Sequence, residues 1–161
     1  MINGIELEFE LCVSPVDRAY KPMVFLSHNP ILNNATNLMV SLDDDARHSV
    51  VLSSLANAQG ACRSCSSYTD MRGLVVAESW QIDDESQVQS FIEFEAICRD
   101  CLKCRNFINE FEKGNRSIIM SHLMLKNKWE KEHVDRYIAE KMLENSIRSK
   151  KKWLLDLSEF G

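Results

Sequence analysis

The chain has 161 residues, of which 45% are hydrophobic and 27% charged, and its formal net charge is −5. These values are ordinary for a globular protein long enough to bury a core, and the short apolar runs exclude a transmembrane helix. A net negative charge also disfavours binding to nucleic acid unless basic residues are segregated on one face.

The amino-terminal region predicts a strand. Residues 5–11 alternate strictly between apolar and acidic side chains, which is typical of a half-buried strand with an acidic outer face. The acidic residues Glu6, Glu8 and Glu10 are incompatible with a secretory signal peptide, so we expect a cytoplasmic protein without membrane association. Residues 23–26, between two prolines, predict a short second strand.

A helix is predicted over 46–59, after the acidic run at 43–45. Carboxylates in the first turn suit the positive end of the helix dipole. The three adjacent Asp residues lack the fixed spacing of a calcium-binding loop, which favours the capping role. Gly60 is expected to end this helix and lead into the first cysteine pair.

Two CxxC pairs carry the strongest chemical signal in the chain: Cys62 with Cys65, and Cys98 with Cys101. Each pair forms a tight turn that presents two sulfurs to the same point, so together they can place four thiolates around one Zn²⁺. Five of the six cysteines lie in these two clusters and no export signal is present, which favours reduced zinc ligands over disulfides. Four thiolates fill a tetrahedral zinc, so the predicted zinc is structural.

The two remaining cysteines receive separate interpretations. Cys104 follows Cys101 by one helical turn, and it is a buried small residue, the preferred interpretation, a substitute zinc ligand or a fifth thiol near the metal. Cys12 is expected to be an unpaired thiol in or after the first strand.

The region between and after the cysteine pairs predicts two strands and a helix. A turn and strand are expected over 68–80, an acidic turn over 82–85 and a second strand over 88–94. After Cys101 the spacing predicts one helix that Gly114 ends. The sequence thus predicts an α+β fold with a ββα core pinned by zinc at the mouth of the hairpin and the start of the helix.

The last third predicts two helices and a strand. The first helix opens at Asn115 or Ser117, the second runs over 130–149, and a strand follows over 153–160. We therefore divide the chain into an N-terminal extension over 1–57, packed on the core, and a zinc-binding domain with C-terminal helices over 58–161.

Three segments resemble a group of bacterial and phage proteins in the HNH (ββα-metal) endonuclease superfamily. Residues 78–89 are similar to the family pattern H-E-V-W-x-Y-D-D-x-x-x-V-Q, and 96–101 are similar to A-L-C-P-x-C. Residues 121–129 and 153–158 are similar to H-L-x-x-V-N-x-W and W-x-L-D-L-S. The resemblance covers residues 74–161, together with the first cysteine pair.

The resemblance implies a nuclease fold from which the catalytic residues have been lost. The family histidine that activates water falls on Ala77, and the family pattern C-H-x-x-K-H places its two histidines on Leu102 and Asn106. Loss of a general base alone costs about two to four orders of magnitude in rate. Glu78 survives but does not rebuild the site, and His122 is interpreted as a packing or hydrogen-bonding residue. No catalytic residue is assigned, and enzymatic activity is disfavoured.

Three functions follow from this interpretation. The preferred one is a catalytically inactive HNH-like zinc protein, a protein-interaction or inhibitory module of phage or mobile-element origin that acts on nucleic-acid machinery. The alternative is a DNA-binding protein that does not cleave, and a third is a metal-dependent endonuclease with a relocated site. No small-molecule substrate is expected. The candidate nucleic-acid contacts are Arg99, Lys103, Arg105, Lys113 and Arg116.

Overall fold

The structure is a computed structural model that describes residues 24–27 and 38–160. The predicted strand over 5–11 and the thiol of Cys12 lie outside the described residues. Within them, no helix is both long and apolar enough to cross a membrane.

The described residues form five α-helices and a three-stranded sheet, which confirms the predicted α+β class. Two 3₁₀ helices, Leu38–Ser41 and Met71–Gly73, precede the first helix and the first strand. The elements are α1 (Asp44–Ala58), β1 (Leu74–Asp83), β2 (Val88–Cys98), α2 (Arg99–Arg105), α3 (Phe107–Glu112), α4 (Arg116–Asn127), α5 (Lys131–Arg148) and β3 (Leu154–Asp156).

The sheet is a hairpin with one added strand. β1 and β2 pair antiparallel, and β3 pairs parallel to β2 on its other edge. The hairpin turn is closed by Asp83, whose carboxylate accepts hydrogen bonds from the amides of Glu85 and Ser86. The register shifts between Ser79 and Trp80, a β-bulge that leaves Ile92 as the extra residue on β2.

Helix α1 confirms the predicted helix and its capping. Asp43 is the N-cap residue, and its Oδ1 accepts a hydrogen bond of 2.8 Å from the amide of Ala46. The helix ends where Gln59 and Gly60 both adopt left-handed backbone conformations, with φ of 52° and 79°. The chain then turns directly into the first cysteine pair.

The helix predicted after Cys101 and the predicted final strand both differ from the observed elements. The single helix predicted after Cys101 is wrong, because it breaks at Asn106 (φ −118°) into α2 and α3 and so buries Phe107. The final strand is shorter than predicted, because a turn after β3 brings the ring of Phe160 back onto the sheet, 5.6 Å from the ring of Phe91.

The segment Val24–Ser27 lies in the core, but it is not the predicted strand. Its peptide groups are bound by side chains rather than by a neighbouring strand. Asn127 Oδ1 accepts a hydrogen bond of 2.8 Å from the amide of Val24, and Asn127 Nδ2 donates one of 2.7 Å to the Val24 carbonyl. The Tyr137 hydroxyl accepts a hydrogen bond of 3.1 Å from the amide of Leu26. We call this arrangement the segment clamp.

One hydrophobic core joins these parts. Val24 and Leu26, which belong to the predicted extension, are 0% and 1% exposed and lie in the same cluster as the hairpin and the helices. Fully buried residues of that cluster in the helices include Phe107, Ile119, Leu123, Val134 and Ile138. The described part of the predicted extension therefore packs on the remainder of the chain, and the predicted boundary at 57 stays a prediction.

Candidate metal centre

The first cysteine pair lies on a turn that closes on itself. The amide of Cys62 donates a hydrogen bond of 2.9 Å to the carbonyl of Ser67, and the amide of Ser66 donates one of 2.9 Å to the carbonyl of Cys62. Ser66 takes a positive φ of 63° to complete the turn. The amides of Ser64 and Cys65 both point at the sulfur of Cys62, at 3.4 Å. This turn presents both sulfurs to one side.

The second pair lies where β2 passes into α2. Cys98 is the last residue of the strand and the N-cap of the helix, and Cys101 lies in the first helical turn. The amide of Cys98 donates a hydrogen bond of 3.2 Å to the sulfur of Cys62. The amide of Arg63 donates one of 3.0 Å to the carbonyl of Ala96 in β2, which docks the first turn beside the second.

The four sulfurs converge as the spacing predicts. All four Sγ atoms lie within 4.8 Å of one another, and the Sγ atoms of Cys65 and Cys98 are 3.8 Å apart. Ligands about 2.3 Å from a tetrahedral zinc lie roughly 3.8 Å from each other, so the group needs only a small contraction to bind a metal ion. All four cysteines are free thiols rather than disulfides.

The centre is an interior site. Cys62, Cys65 and Cys101 are 2%, 4% and 1% exposed, and Cys98 is half-buried. A metal ion held by all four sulfurs has no open coordination position for a substrate. The geometry therefore suits a structural metal rather than a catalytic one.

The hydrogen bonds at the centre favour a thiolate at Cys62. Hydrogen bonds from the side chains of Cys101 and Cys98, and further ones from backbone amides, hold the pKa of the Cys62 thiol well below its ordinary value. Hydrogen bonds that the Cys101 thiol donates to Cys62 and Cys98 raise the pKa of Cys101, and burial and repulsion by the Cys62 thiolate raise it further. A bound cation removes that repulsion and deprotonates the coordinating thiols.

His122 contacts the centre from α4. Its Nε2 lies 3.2 Å from Sγ of Cys101, and the imidazole is buried, with 7% exposed. Burial lowers the pKa of His122, which favours the neutral ring. The predicted hydrogen-bonding interpretation of His122 agrees with this contact.

Cys104 lies apart from the sulfur group. It is 0% exposed in the core, and it is absent from the group of sulfurs found among residues 24–27 and 38–160. Burial raises the pKa of the Cys104 thiol, which keeps it protonated. The position agrees with a buried small residue rather than a zinc ligand.

Ala77 and Glu78, the positions that the sequence resemblance compares with a catalytic His-Glu pair, serve the fold here. Ala77 is buried opposite Glu95 in the hairpin. The carboxylate of Glu78 accepts hydrogen bonds from the amide of Leu38 at 2.7 Å and from the indole of Trp80 at 3.2 Å. Burial raises the pKa of Glu78. Glu78 thus fastens the first 3₁₀ helix to β1.

Arg105 also serves the interior. Its guanidinium forms an ion pair with Glu95, and the two side chains are only 10% and 14% exposed. It also lies 5.1 Å from the centroid of the Phe25 ring, which places it against the clamped segment. Its Nε is buried with no hydrogen-bond partner among the described residues.

The other predicted nucleic-acid contacts lie nearer the surface. Lys113 is 65% exposed, and its ion pair with Glu110 is of the kind that contributes about 0–1 kcal/mol, so it remains available to a ligand. Binding of nucleic acid by these residues stays a prediction. Each has a contact within the chain: Arg99 with the carbonyl of Arg72, Lys103 with Asp100, Lys113 with Glu110, and Arg116 with the ring of Phe111.

The sequence pattern does not place Ser67 or His122 beside the sulfurs. Ser67 Oγ lies 3.1 Å from Sγ of Cys65. The only signal for this contact in the sequence is the position of Ser67 two residues after that cysteine. For His122 the available signal was its position on the buried face of α4, beside Leu123 and three residues after Ile119.

No protein-family model matches the chain, and no match is found among curated proteins or among solved structures.

Proposed function

We propose that this chain is a zinc-stabilised protein-interaction module, built on a degenerate HNH-like ββα unit that has lost nuclease activity. The observation that carries the proposal is the convergence of four largely buried cysteine sulfurs within 4.8 Å at the junction of β2 and α2. A zinc ion at this point joins the hairpin, the first cysteine turn and the start of α2.

Zinc is the metal that this donor set favours. Four soft thiolates in a tetrahedral arrangement suit Zn²⁺, whereas hard cations such as Mg²⁺ and Ca²⁺ require oxygen ligands. Iron also binds four thiolates, so the proposal of zinc rests on its general use in closed structural sites. Elemental analysis of the purified chain tests it: we expect about one zinc per chain, and a chain with iron or no metal contradicts it.

An HNH-like origin is supported by the order of the elements. A hairpin, β1 and β2, runs directly into α2, with one cysteine pair at the strand-to-helix junction. The positions that correspond to the family's water-activating and metal-binding histidines hold Ala77, Leu102 and Asn106. Ala and Leu have no basic nitrogen and cannot hold a hard metal ion at a phosphate, which supports loss of cleavage.

A protein partner is supported by charge. The net charge of −5 repels DNA, and the hairpin tip exposes Asp83, Asp84 and Glu85. Glu93 adds a further exposed carboxylate on β2. An acidic surface of this kind suits a partner with a basic face, and it can imitate the phosphates of DNA. Inhibition or redirection of nucleic-acid machinery by a protein of phage or mobile-element origin is consistent with such a surface.

Charge reversal tests this surface. The tagged chain is used to capture proteins from the cells that encode it, alongside the variant Glu85→Lys/Glu93→Lys and a matched control, Glu132→Lys, on the exposed first turn of α5. We expect a partner that the wild type and the control retain and that the double variant loses. A partner retained equally by all three chains contradicts the acidic surface as the contact.

A second candidate function, DNA binding without cleavage, is favoured by the exposed basic residues Arg99, Lys113 and Arg116 and by the lysines at 150–152. Titration of the chain onto duplex DNA over a range of salt concentrations separates the two functions. Phosphate contacts make binding fall steeply with salt. Such a loss supports DNA binding, while the absence of binding at low salt excludes it.

Incubation with plasmid DNA and Mg²⁺, Mn²⁺ or Ni²⁺ tests for residual nuclease activity. We expect no cleavage. Cleavage that disappears in Glu78→Ala, and persists in a variant at the neighbouring Ser79→Ala, would overturn the proposal of an inactive fold.

A further inference from the structure

Helix α4 places the side chain of His122 beside the sulfur group, a contact that the CxxC pattern does not predict. His122 is 7% exposed, and its Nε2 lies 3.2 Å from Sγ of Cys101, which is itself 1% exposed. We propose that His122 is a positioning residue of the metal centre, donating its Nε2–H to the Cys101 thiolate and thereby strengthening retention of the metal. This inference rests on the proposed zinc centre.

The charge of the centre creates the need for such a donor. Four thiolates around one divalent cation leave two net negative charges in the protein interior, where uncompensated charge is costly. Hydrogen bonds from neutral donors spread that charge over the surrounding protein. Backbone amides supply donors to Cys62, and the hydroxyl of Ser67 lies beside Cys65.

Cys101 is the most deeply buried of the four ligands. Its 1% exposure leaves water little access to its sulfur, so the negative charge of the thiolate can be compensated only by hydrogen-bond donors of the protein. The imidazole of His122 contacts this buried sulfur. Removal of the imidazole should therefore weaken metal binding, although His122 is not itself a ligand.

The chemistry of the bound state decides which atom donates. A thiolate that binds a metal has no proton, so Cys101 can only accept a hydrogen bond. The 3.2 Å contact is then a hydrogen bond only if the hydrogen lies on Nε2 of His122. This assignment holds for the neutral ring as the Nε2–H tautomer, and for the charged ring as well.

His122 does not replace a cysteine as a ligand. Its ring nitrogens are outside the group of ligand atoms that converge within 4.8 Å, and four sulfurs already fill a tetrahedral site. Ile119 and Leu123, both 0% exposed, lie with His122 among the buried residues of α4. The hydrogen bond thus joins α4 to a centre whose ligands all lie elsewhere in the chain.

Three variants of the full chain test the inference. His122→Leu removes the donor, and His122→Gln restores an amide donor at a similar reach. Ile119→Val removes one buried methyl group from the same face of α4 and changes neither a cysteine nor His122. Outer hydrogen-bond partners of metal ligands are worth about 10–100-fold in metal affinity, so we expect His122→Leu to weaken zinc binding by that factor in competition with a chromophoric chelator. We expect His122→Gln to recover most of the loss and Ile119→Val to match the wild type.

Cobalt substitution gives a readout that general destabilisation does not move. Loss of a hydrogen bond raises the energy of the sulfur lone pair, so the sulfur-to-cobalt charge-transfer band of His122→Leu should move to lower energy. Its intensity should still report four thiolates. An unshifted band together with unchanged zinc affinity would overturn the inference while leaving the zinc centre in place.

Cadmium provides a test on the wild type, which applies even if His122→Leu does not fold. In the ¹¹³Cd-loaded chain, the Nε2-bound proton of His122 should show scalar coupling to cadmium through the Cys101 sulfur. A proton on Nδ1 instead, with none on Nε2, contradicts the inference. A ¹⁵N–¹¹³Cd coupling typical of a direct bond would make His122 a ligand and also contradict it. A wild-type chain that binds neither zinc nor cadmium overturns the proposed centre and this inference together.

Discussion

The two ends of helix α2 are held by different chemistry. At the amino-terminal end, Cys98 and Cys101 join the first cysteine pair in a group of sulfurs suited to a metal ion. At the carboxyl-terminal end, the carbonyl of Cys104 accepts a hydrogen bond of 3.4 Å from Ser27, and Arg105 forms a buried ion pair with Glu95. Both ends connect segments far apart in the chain, but under the proposed function only the first end would depend on a bound metal ion.

This difference predicts how much stability a single substitution removes at each end of α2. A closed metal site contributes its binding free energy to folding as a unit, so loss of one ligand removes most of it. Hydrogen bonds and ion pairs contribute separately, so single changes at the other end should cost smaller and more nearly additive amounts.

Removal of a sulfur from the metal end should have the largest effect. Structural zinc contributes about 10–16 kcal/mol of apparent binding free energy in zinc-finger peptides, comparable to the whole stability of an ordinary domain. We therefore expect Cys101→Ala to lose stoichiometric zinc and its cooperative thermal unfolding transition, measured by elemental analysis and circular dichroism. A chelator should have the same effect on the wild type.

Cys104→Ala is the matched control for that change. It removes one buried sulfur from the same helix, but one outside the sulfur group, and should cost about 1 kcal/mol with zinc retained. If Cys104→Ala loses zinc as Cys101→Ala does, the assignment of four ligands is wrong.

The buried ion pair at the other end should give the next largest effect. Removal of one partner leaves an uncompensated charge in the interior, which typically costs about 3–5 kcal/mol. We expect Arg105→Met to lose this amount in denaturant unfolding while keeping its zinc. The double variant Arg105→Met/Glu95→Leu should recover much of the loss, because it removes both charges. Losses that simply add would show that the pair does not interact as the structure indicates.

The contrast between the two ends also explains what the sequence could predict. The amino-terminal end of α2 can be predicted from the sequence because CxxC is a local pattern whose metal chemistry requires few other residues. Cys98 and Cys101 converge with the first pair as this pattern predicts. The α+β class, α1 and the hairpin were readable from periodicity and turn residues for the same reason. The predicted ββα order rests on these local signals.

The other end was not readable, because its partners come from distant segments. Nothing near residues 23–26 indicates that Asn127 and Tyr137 bind the peptide groups of this segment, and its short apolar run predicts a strand instead. The signal that existed was on α4, where Asn127 continues the buried series of Ile119 and Leu123 at intervals of four. A polar residue in such a series must find a buried partner.

Asn127 tests the segment clamp. Asn127→Leu removes both of its hydrogen bonds to Val24 and leaves a buried amide and carbonyl without partners, each worth about 1–3 kcal/mol. We expect a loss of stability in that range or somewhat above it, with zinc retained, and faster amide hydrogen exchange at Val24 and Leu26. Exchange that stays as slow as in the wild type would show that the segment is held by its apolar side chains alone.

Tyr137 should give the smallest effect. Its hydroxyl accepts one hydrogen bond, from the amide of Leu26 at 3.1 Å, and Tyr137→Phe removes that oxygen while keeping the ring that packs against Trp129. One unpaired buried amide costs about 1–3 kcal/mol, and water or a small shift of the unanchored segment reduces this, so we expect about 1 kcal/mol in denaturant unfolding. Combined with Asn127→Leu, the further loss should be smaller than in the wild-type background, because the segment is already released. Full additivity would mean that the two side chains hold independent peptide groups, and the segment clamp would not act as a unit.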